Sequence, residues 1–265
     1  MATLIPDLDL YHPWGLDAEQ AIVVATECEA AALQVDPRIE NSEGGTVSSY
    51  AGMRVKANTH GFLAGYRSSY HSISCAVIGK QSDEMQRDYW SFSARDPADM
   101  LSAAETGRIA GERTVRRLGT RRLSTRQAPV VFAADIASSL FGHFISAVSG
   151  SSLYRKSSFL LDHLGRQVFP GFLHIHEQPL LQKGLGSAPY DGEGVASQAQ
   201  DLIRDGILQS YVLNSYAARK LGMTTSGNAG GVRNLTIDPG DRNLEQILRS
   251  MDTGLLVTEL IGFGV

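Results

Sequence analysis

Histidine is the side chain of this sequence best suited to hold a metal, and one close pair of histidines stands out. His174 and His176 are separated by a single residue. On a β-strand, residues two apart point to the same side, so both imidazoles could meet one metal ion. No third ligand is evident from the sequence, and Pro170 and Pro179 bracket the segment closely. We therefore interpret the pair as exposed or hydrogen-bonded, with a metal site as the alternative.

A second stretch, residues 141–158 (FGHFISAVSGSSLYRKSS), looks like a zinc-peptidase helix that lacks the zinc chemistry. Such a helix needs two ligands about one turn apart and a carboxylate that deprotonates the metal-bound water. His143 has neither His nor Glu four residues later, where Ala147 lies, and its nearest downstream carboxylate is Asp162. We therefore interpret His143 as a packed or capping residue.

The glycine-rich segment 227–231 (GNAGG) could bind a ligand of another kind. Gly227, Gly230 and Gly231 surround Asn228 and permit positive φ. Backbone of this type exposes N–H groups that could hold a carboxylate, a phosphate or a peptide carbonyl. The same glycines could instead form only a tight turn or a close packing contact. Asn228, Gly230 and Gly231 are the candidate peptide-binding residues.

Neither general acid–base catalysis nor a nucleophilic serine is indicated by the residues. No pair at a meaningful spacing is found among the dispersed carboxylates of this half, which are Asp162, Asp191, Glu193 and Asp201. No histidine partner can be identified for the nearby serines, which are Ser149, Ser151 and Ser152. Catalysis by this chain's own side chains is therefore not predicted.

Composition is that of a soluble globular protein. The 265 residues include 24 basic and 28 acidic ones, and the net charge of −4 gives no general attraction to nucleic acid or to an anionic membrane. No apolar run approaches the ~20 residues that a membrane span needs, and the N-terminus lacks the basic region of a signal peptide. Cys28 and Cys75 have no CxxC spacing. They are predicted to be buried thiols, which indicates a reducing cytoplasm.

One basic cluster lies between residues 108 and 126. Nucleic-acid binding favours cations on one surface with aromatic side chains for stacking, and no aromatic residue occurs in this range. Helix C-termini favour cations in any protein. The cluster is therefore interpreted as a solvated helix end and an interdomain or subunit contact; it comprises Arg108, Arg113, Arg116, Arg117, Arg121, Arg122 and Arg126.

Periodicity predicts two domains, 1–120 and 121–265. In the first, a helix over 16–33 capped by Asp17 precedes an antiparallel meander, and a helix of about twenty residues then runs from Asp96 to near Arg117. The strands of the meander are expected within 46–56, 61–70, 71–78 and 88–92. Glycine, threonine, serine and proline interrupt the periodicity at 118–129, which indicates the boundary.

The second domain is predicted to be mixed and mainly β. A strand over 129–132 and a helix over 135–147 lead into the candidate zinc-peptidase stretch. Asp205 and Gly206 are expected to form a hairpin turn between two apolar runs, and Asn243 to cap a helix over 244–251. Further strands are expected at 167–169, 173–176, 203–213, 232–237 and 255–260. The fold class is therefore α+β: an antiparallel sheet with flanking helices, followed by the mixed domain.

Six segments resemble, in order, those of one known family. They are 7–14 (DLDLYHPW), 41–44 (NSEG), 71–75 (HSISC), 121–129 (RRLSTRQAP), 216–221 (YAARKL) and 227–234 (GNAGGVRN). Several independent ordered matches are far more specific than a single glycine-rich one. The chain resembles the TldD/PmbA metallopeptidase family, once described as gyrase modulators, in its PmbA (TldE) branch.

That resemblance implies a function. The family's active subunit has His-Glu-x-x-x-His followed by Arg-Lys, and registering on Arg155-Lys156 puts Gly142, His143 and Ala147 at the three chemical positions. This pattern is similar to the subunit without the metal site, so no cofactor is expected in this chain and zinc is expected in a TldD-like partner. The implied assembly is a cytoplasmic heterodimer that cleaves unfolded peptides or small proteins and engages neither nucleic acid nor membrane. The alternatives are a non-proteolytic regulatory protein and a metallopeptidase that uses His143 or the histidine pair.

Length is the departure from the family. Its members run on at both ends, so this chain resembles an internal portion with an incomplete C-terminal domain. The apolar stretch that includes Leu255, Ile261 and Phe263 is expected to lie inside that domain, because apolar surface left in water costs about 25 cal/mol per Å².

Overall fold

The computed structural model describes residues 1–260, which form two compact units. The N-terminal unit comprises Asp7–Leu123 and Gln182–Ser187. The C-terminal unit comprises Met1–Pro6, Ser124–Leu181 and the chain from Ala188 onward. Each unit contains one cluster of buried hydrophobic residues.

The N-terminal unit is an antiparallel sheet with two helices packed against it. The strands β1, β2 and β3 follow one another in the sheet, and both helices contact it. Gly107 permits the helices to meet closely, because a Cβ at this position would lie 1.9 Å from the carbonyl oxygen of Cys28. The elements are α1 (Ala18–Leu33), β1 (Ile39–Ala57), β2 (Leu63–Gln81), β3 (Glu84–Ala94) and α2 (Ala103–Arg116).

The predicted cap of α1 is confirmed, whereas the second helix differs from its prediction. Asp17 accepts a hydrogen bond from the Gln20 backbone N–H at 2.8 Å, and the Gln20 side chain accepts from the Asp17 N–H at 3.1 Å. The predicted single helix from Asp96 is wrong. A 3₁₀ turn over Pro97–Asp99 ends at Met100, whose backbone is extended, and α2 starts separately after its cap Ser102.

The meander also has fewer turns than predicted. Residues 61–70 and 71–78 belong to one uninterrupted strand, β2, in which Tyr70 pairs with Tyr50 and His71 with Ser49. The pairing of β3 with β2 ends where Ala94 meets His71. Beyond that point β1 and β2 continue as a two-stranded ribbon, and its exposed apolar side chains include Met53, Val55 and Leu63. The described residues place no third strand beside this ribbon. The alternation of apolar and polar residues there therefore does not indicate which side chains are buried.

Up to residue 260, the C-terminal unit combines two small sheets with four helices. An antiparallel sheet has the strand order β7-β6-β5-β8, and β4 pairs with β9 in parallel. Antiparallel and parallel pairs together make the predicted mixed architecture, so the α+β class is confirmed. The elements are β4 (Val130–Phe132), α3 (Ala134–Ala147), α4 (Gly150–Tyr154), β5 (Ile175–Glu177), β6 (Gln200–Arg204), β7 (Ile207–Leu208), α5 (Ser215–Leu221), β8 (Leu235–Ile237), α6 (Leu244–Ser250) and β9 (Leu255–Val257).

Local turn and cap predictions hold in this unit, but several strands are shorter than expected. Asp205 and Gly206 adopt φ of 51° and 72° in the β6–β7 hairpin, and Asn243 caps α6. Of the strand predicted over 167–169, only an isolated bridge at Gln167 is present. The predicted interior strand at 255–260 is reduced to β9, where Leu256 is 40% exposed. Ile261 and Phe263 lie outside the described residues.

The cysteines and the basic cluster have clear environments. Cys28 on α1 and Cys75 on β2 are free and buried, as predicted, and they contact each other, which raises the pKa of the Cys28 thiol. Most of the helix arginines face carboxylates: Arg108 pairs with Glu105 and Glu112, and Arg113 and Arg117 lie beside Asp88. Much of the positive charge is therefore neutralised locally. None of the helices within residues 1–260 is long and apolar enough to cross a membrane.

Candidate functional site

The glycine-rich segment 227–231, here called the glycine loop, is fixed to the C-terminal unit by a buried glutamate. Glu177 at the end of β5 is only 1% exposed. Its carboxylate accepts hydrogen bonds from Asn228 Nδ2 at 2.7 and 2.9 Å, from Gln200 Nε2 at 2.7 Å and from the backbone N–H of Arg233 at 2.8 Å. A buried carboxylate is stable only when donors replace its water. One of these donors lies in the glycine loop and another two residues after it, so Glu177 fixes the loop to β5.

A second buried carboxylate holds the middle of the glycine loop. Asp191 is 2% exposed and accepts the backbone N–H of Ala229 at 2.9 Å. It also accepts the N–H groups of Glu193 and Val195 at 2.8 and 2.9 Å. The conformation of the loop is therefore imposed by two acidic side chains that lie 51 and 38 residues before the loop residues they bind.

The three predicted binding residues of the loop differ in how accessible they are. Asn228 is buried, and its side-chain oxygen accepts from Gln200 and Ser226 at 2.9 and 2.7 Å while its amide nitrogen binds Glu177. Its side chain therefore shapes the loop. Gly230 and Gly231 adopt φ of 107° and 95° with open space where a side chain would stand, so their backbone can be approached from outside.

The histidine pair is hydrogen-bonded. The rings of His174 and His176 stack on one side of the strand, with centroids 6.5 Å apart and planes 4° apart. Nδ1 of His176 lies 2.6 Å from Asp201 and Nε2 lies 3.1 Å from Asp238. Hydrogen bonding to Asp201 is the main cause that raises the pKa of His176. A carboxylate oxygen lies within hydrogen-bond distance of each ring nitrogen of His176, so neither nitrogen is free to bind a metal.

The zinc-peptidase stretch, residues 141–158, comprises the end of α3 and the whole of α4, and its three positions have different environments. Gly142 and His143 are exposed on α3, and a Cβ on Gly142 would meet no atom within 4 Å. Ala147 is 8% exposed and belongs to the hydrophobic core. Among residues 1–260, no group of three or more His, Cys, Asp or Glu side chains is placed to share a metal ion. The residues present at these positions do not fit zinc, since two of the three have no ligand atom.

Two family models match nearly the whole chain. The PmbA/TldA metallopeptidase central domain matches residues 11–118, and the C-terminal domain of the same family matches residues 125–265. A relative from Escherichia coli O157:H7, named metalloprotease PmbA, is 48% identical over 260 residues, which are 98% of this chain and 58% of that protein. The chain belongs to the PmbA/TldD metallopeptidase family. Within that family it lies in the PmbA branch.

More distant PmbA/TldD relatives extend the comparison. A relative from Haemophilus influenzae, named metalloprotease TldD homolog, is 25% identical over 81% of this chain and 46% of its own length. A solved structure from Bacteroides thetaiotaomicron, described as a candidate modulator of DNA gyrase, superposes with a TM-score of 0.90 at 28% identity. It covers 97% of this chain and 59% of that chain. The chain spans a little under three fifths of the length of the Escherichia coli O157:H7 relative, to which it is 48% identical.

Sequence reasoning found the glycine loop but missed the residues that build it. Glu177 and Asp191 are separated from Asn228 by 51 and from Ala229 by 38 residues, so no local spacing connects them. The sequence contained one signal for Glu177. Side chains alternate along a strand, so the glutamate that directly follows the histidine pair points to the opposite side from His176, toward the core. A carboxylate on that side needs hydrogen-bond donors.

Proposed function

We propose that this chain is the PmbA-type subunit of a two-subunit TldD/PmbA zinc peptidase and that it carries no metal site of its own. In this assembly a TldD-like subunit supplies the zinc and the general base. The complex cleaves unfolded peptides or small proteins in the cytoplasm. The PmbA-type subunit closes the cavity and admits extended chains.

The degenerate helix carries this proposal. Gly142 and Ala147 offer no ligand atom at positions where the family resemblance places zinc ligands, and His143 stands where the resemblance places the glutamate. Zinc in proteins needs three or four ligands, and an exposed histidine on one helix does not supply them. The role left to such a subunit in a peptidase family is to bind, orient or restrict the substrate.

Extended peptide binding is supported by the end of the four-stranded sheet. Within the described residues β8 pairs with β5 on one side only, because β8 ends the strand order. An added peptide strand at such an edge is held by backbone hydrogen bonds, which recognise any sequence. The glycine loop, with Gly230 and Gly231 accessible and Asn228 holding its shape, directly precedes this strand.

The decisive experiment is reconstitution with a TldD-like subunit. The chain alone is expected to contain far less than one zinc per molecule and to leave an unfolded test peptide intact. The mixture is expected to co-purify and to cleave the peptide in a chelator-sensitive way. Robust cleavage by the isolated chain, or stoichiometric zinc that survives dialysis and disappears in a His143→Ala variant, would contradict the proposal.

A second candidate function is regulatory binding without proteolysis. It is favoured by the Bacteroides thetaiotaomicron structure, whose description as a candidate DNA gyrase modulator belongs to a protein of the same fold. The same reconstitution separates the two candidates. A regulatory protein would neither co-purify with the TldD-like subunit nor change its cleavage of peptides.

A further inference from the structure

One guanidinium beside the glycine loop, that of Arg233, has no partner among residues 1–260. Arg233 is half-buried, and its Nε is enclosed without a hydrogen-bond acceptor. Within residues 1–260 the structure shows no ion pair for this side chain, although its backbone N–H is bound by Glu177. A buried N–H group without an acceptor costs free energy, so native proteins rarely keep one unless a water, an ion or a ligand completes it.

The guanidinium lies next to the accessible part of the loop. Nη2 of Arg233 is 4.0 Å from the position that a Cβ on Gly230 would occupy. Gly230 is exposed, and its φ of 107° is one that residues with side chains rarely adopt. A glycine here keeps open the space that a ligand oxygen needs to reach the guanidinium.

The backbone around both groups is held by two buried carboxylates. Glu177 fixes the backbone of Arg233 and the side chain of Asn228, and Asp191 fixes Ala229. The oxygens of Glu177 are already occupied by these donors, so they do not compete for the guanidinium. The fork of an arginine guanidinium matches the two oxygens of a carboxylate or phosphate.

The position of Arg233 in the sheet selects between ligands. Arg233 stands two residues before Leu235, where the edge strand β8 begins. A peptide that adds to β8 in the antiparallel direction ends, at its C-terminus, beside the start of β8. We infer that Arg233 and the backbone of Gly230 bind the terminal carboxylate of an extended peptide, an inference that rests on the peptide-binding role proposed above.

Equilibrium binding to the isolated chain tests this directly. The probes are N-acetyl-tetraalanine as the free acid, the same peptide as its C-terminal amide, and inorganic phosphate. Binding is followed through the ¹⁵N–¹H signals of Gly230, Gly231 and the Arg233 side chain. The free acid is expected to bind about 10- to 100-fold more tightly than the amide and to shift the Arg233 Nε–H signal, as loss of one charged hydrogen-bonded contact predicts.

Variants of Arg233 test whether the preference for the free acid depends on its side chain. Arg233→Gln is expected to abolish the preference for the acid, and Arg233→Lys to keep part of it, since lysine retains the charge but not the fork. Arg249→Gln is the matched control, because Arg249 is 78% exposed and pairs with Glu245 on α6. The comparison of acid with amide on the unaltered chain needs no variant and stands even if Arg233→Gln fails to fold.

The outcomes are distinct. Equal binding of acid and amide, or an acid preference that survives in Arg233→Gln, would overturn the inference. Binding of phosphate that excludes the peptide acid would also overturn it and would identify a phosphate site. If the free acid does not bind while the mixture with a TldD-like subunit cleaves peptides, the carboxylate site is wrong and the proposed function stands.

Discussion

Removal of the Glu177 carboxylate is expected to make the C-terminal unit unfold at a lower urea concentration. Glu177→Ala removes the Glu177 acceptor from the Asn228 side-chain amide and from the Arg233 backbone N–H, and it removes one of two acceptors from the Gln200 amide, which still reaches Asn228 Oδ1. Each buried donor left unpaired costs about 1–3 kcal/mol. The two amides can partly turn toward water, whereas the backbone N–H cannot, so the expected loss in free energy of unfolding is about 3–5 kcal/mol.

The position of the tryptophans makes the assay specific. The sequence has two tryptophans, Trp14 and Trp90, and both belong to the N-terminal unit. In urea titrations tryptophan fluorescence therefore reports that unit, while far-ultraviolet circular dichroism reports both. Glu177→Ala is expected to lower the urea midpoint measured by circular dichroism. The midpoint measured by tryptophan fluorescence is expected to stay unchanged.

A matched control and a local probe complete the test. Glu245→Ala removes a carboxylate that is 71% exposed on α6, and its expected effect is within about 0.5 kcal/mol. Amide exchange at Ala229 and Gly231 is expected to accelerate in Glu177→Ala alone. If Glu177→Ala and Glu245→Ala unfold at the same urea concentration and the amides of Ala229 and Gly231 stay protected from exchange, the Glu177 carboxylate does not hold the glycine loop and the reasoning fails.

Two further predictions concern packing and pH. Gly107→Ala is expected to destabilise the N-terminal unit by about 2 kcal/mol, since its Cβ would overlap the Cys28 carbonyl. Gly142→Ala, in open space on α3, is expected to stabilise the C-terminal unit by about 0.5–1 kcal/mol. Urea midpoints check both changes. Because the folded pKa of His176 is raised above its ordinary 6.5, its stabilisation is complete below that pH and declines as pH rises through the folded pKa. Urea midpoints between pH 5 and pH 9 are expected to fall in the unaltered chain and to fall less in His176→Gln.

Local signals predicted the fold where they were strong. The caps at Asp17 and Asn243 and the turn at Asp205 were found because one side chain or one dipeptide decides each of them. The break at Met100 was missed because a proline at a helix start fits both a 3₁₀ turn and a longer α-helix. The continuity of β2 was missed because polar residues near Tyr70 suggest a turn, although long-range pairing with β1 keeps them extended.

The candidate site was predictable only in part, for a related reason. Glycines that permit an open turn are visible in the sequence at 227–231. The buried partners that fix this turn, Glu177 and Asp191, come from distant segments, and sequence spacing alone made them look dispersed. That Arg233 has no ion-pair partner in the described part of the chain was equally invisible, because whether an arginine is paired depends on the fold and not on its neighbours in sequence.

The two candidate regions differ in how many hydrogen bonds support them. Seven hydrogen bonds reach the carboxylates of Glu177 and Asp191 around the glycine loop. On α3 no hydrogen bond to the His143 side chain is shown within residues 1–260. Metal-binding histidines are normally oriented by hydrogen bonds to their second nitrogen, and buried polar networks are costly unless every member is satisfied. This contrast supports the proposal that the chain binds a peptide substrate and that another subunit supplies the metal chemistry.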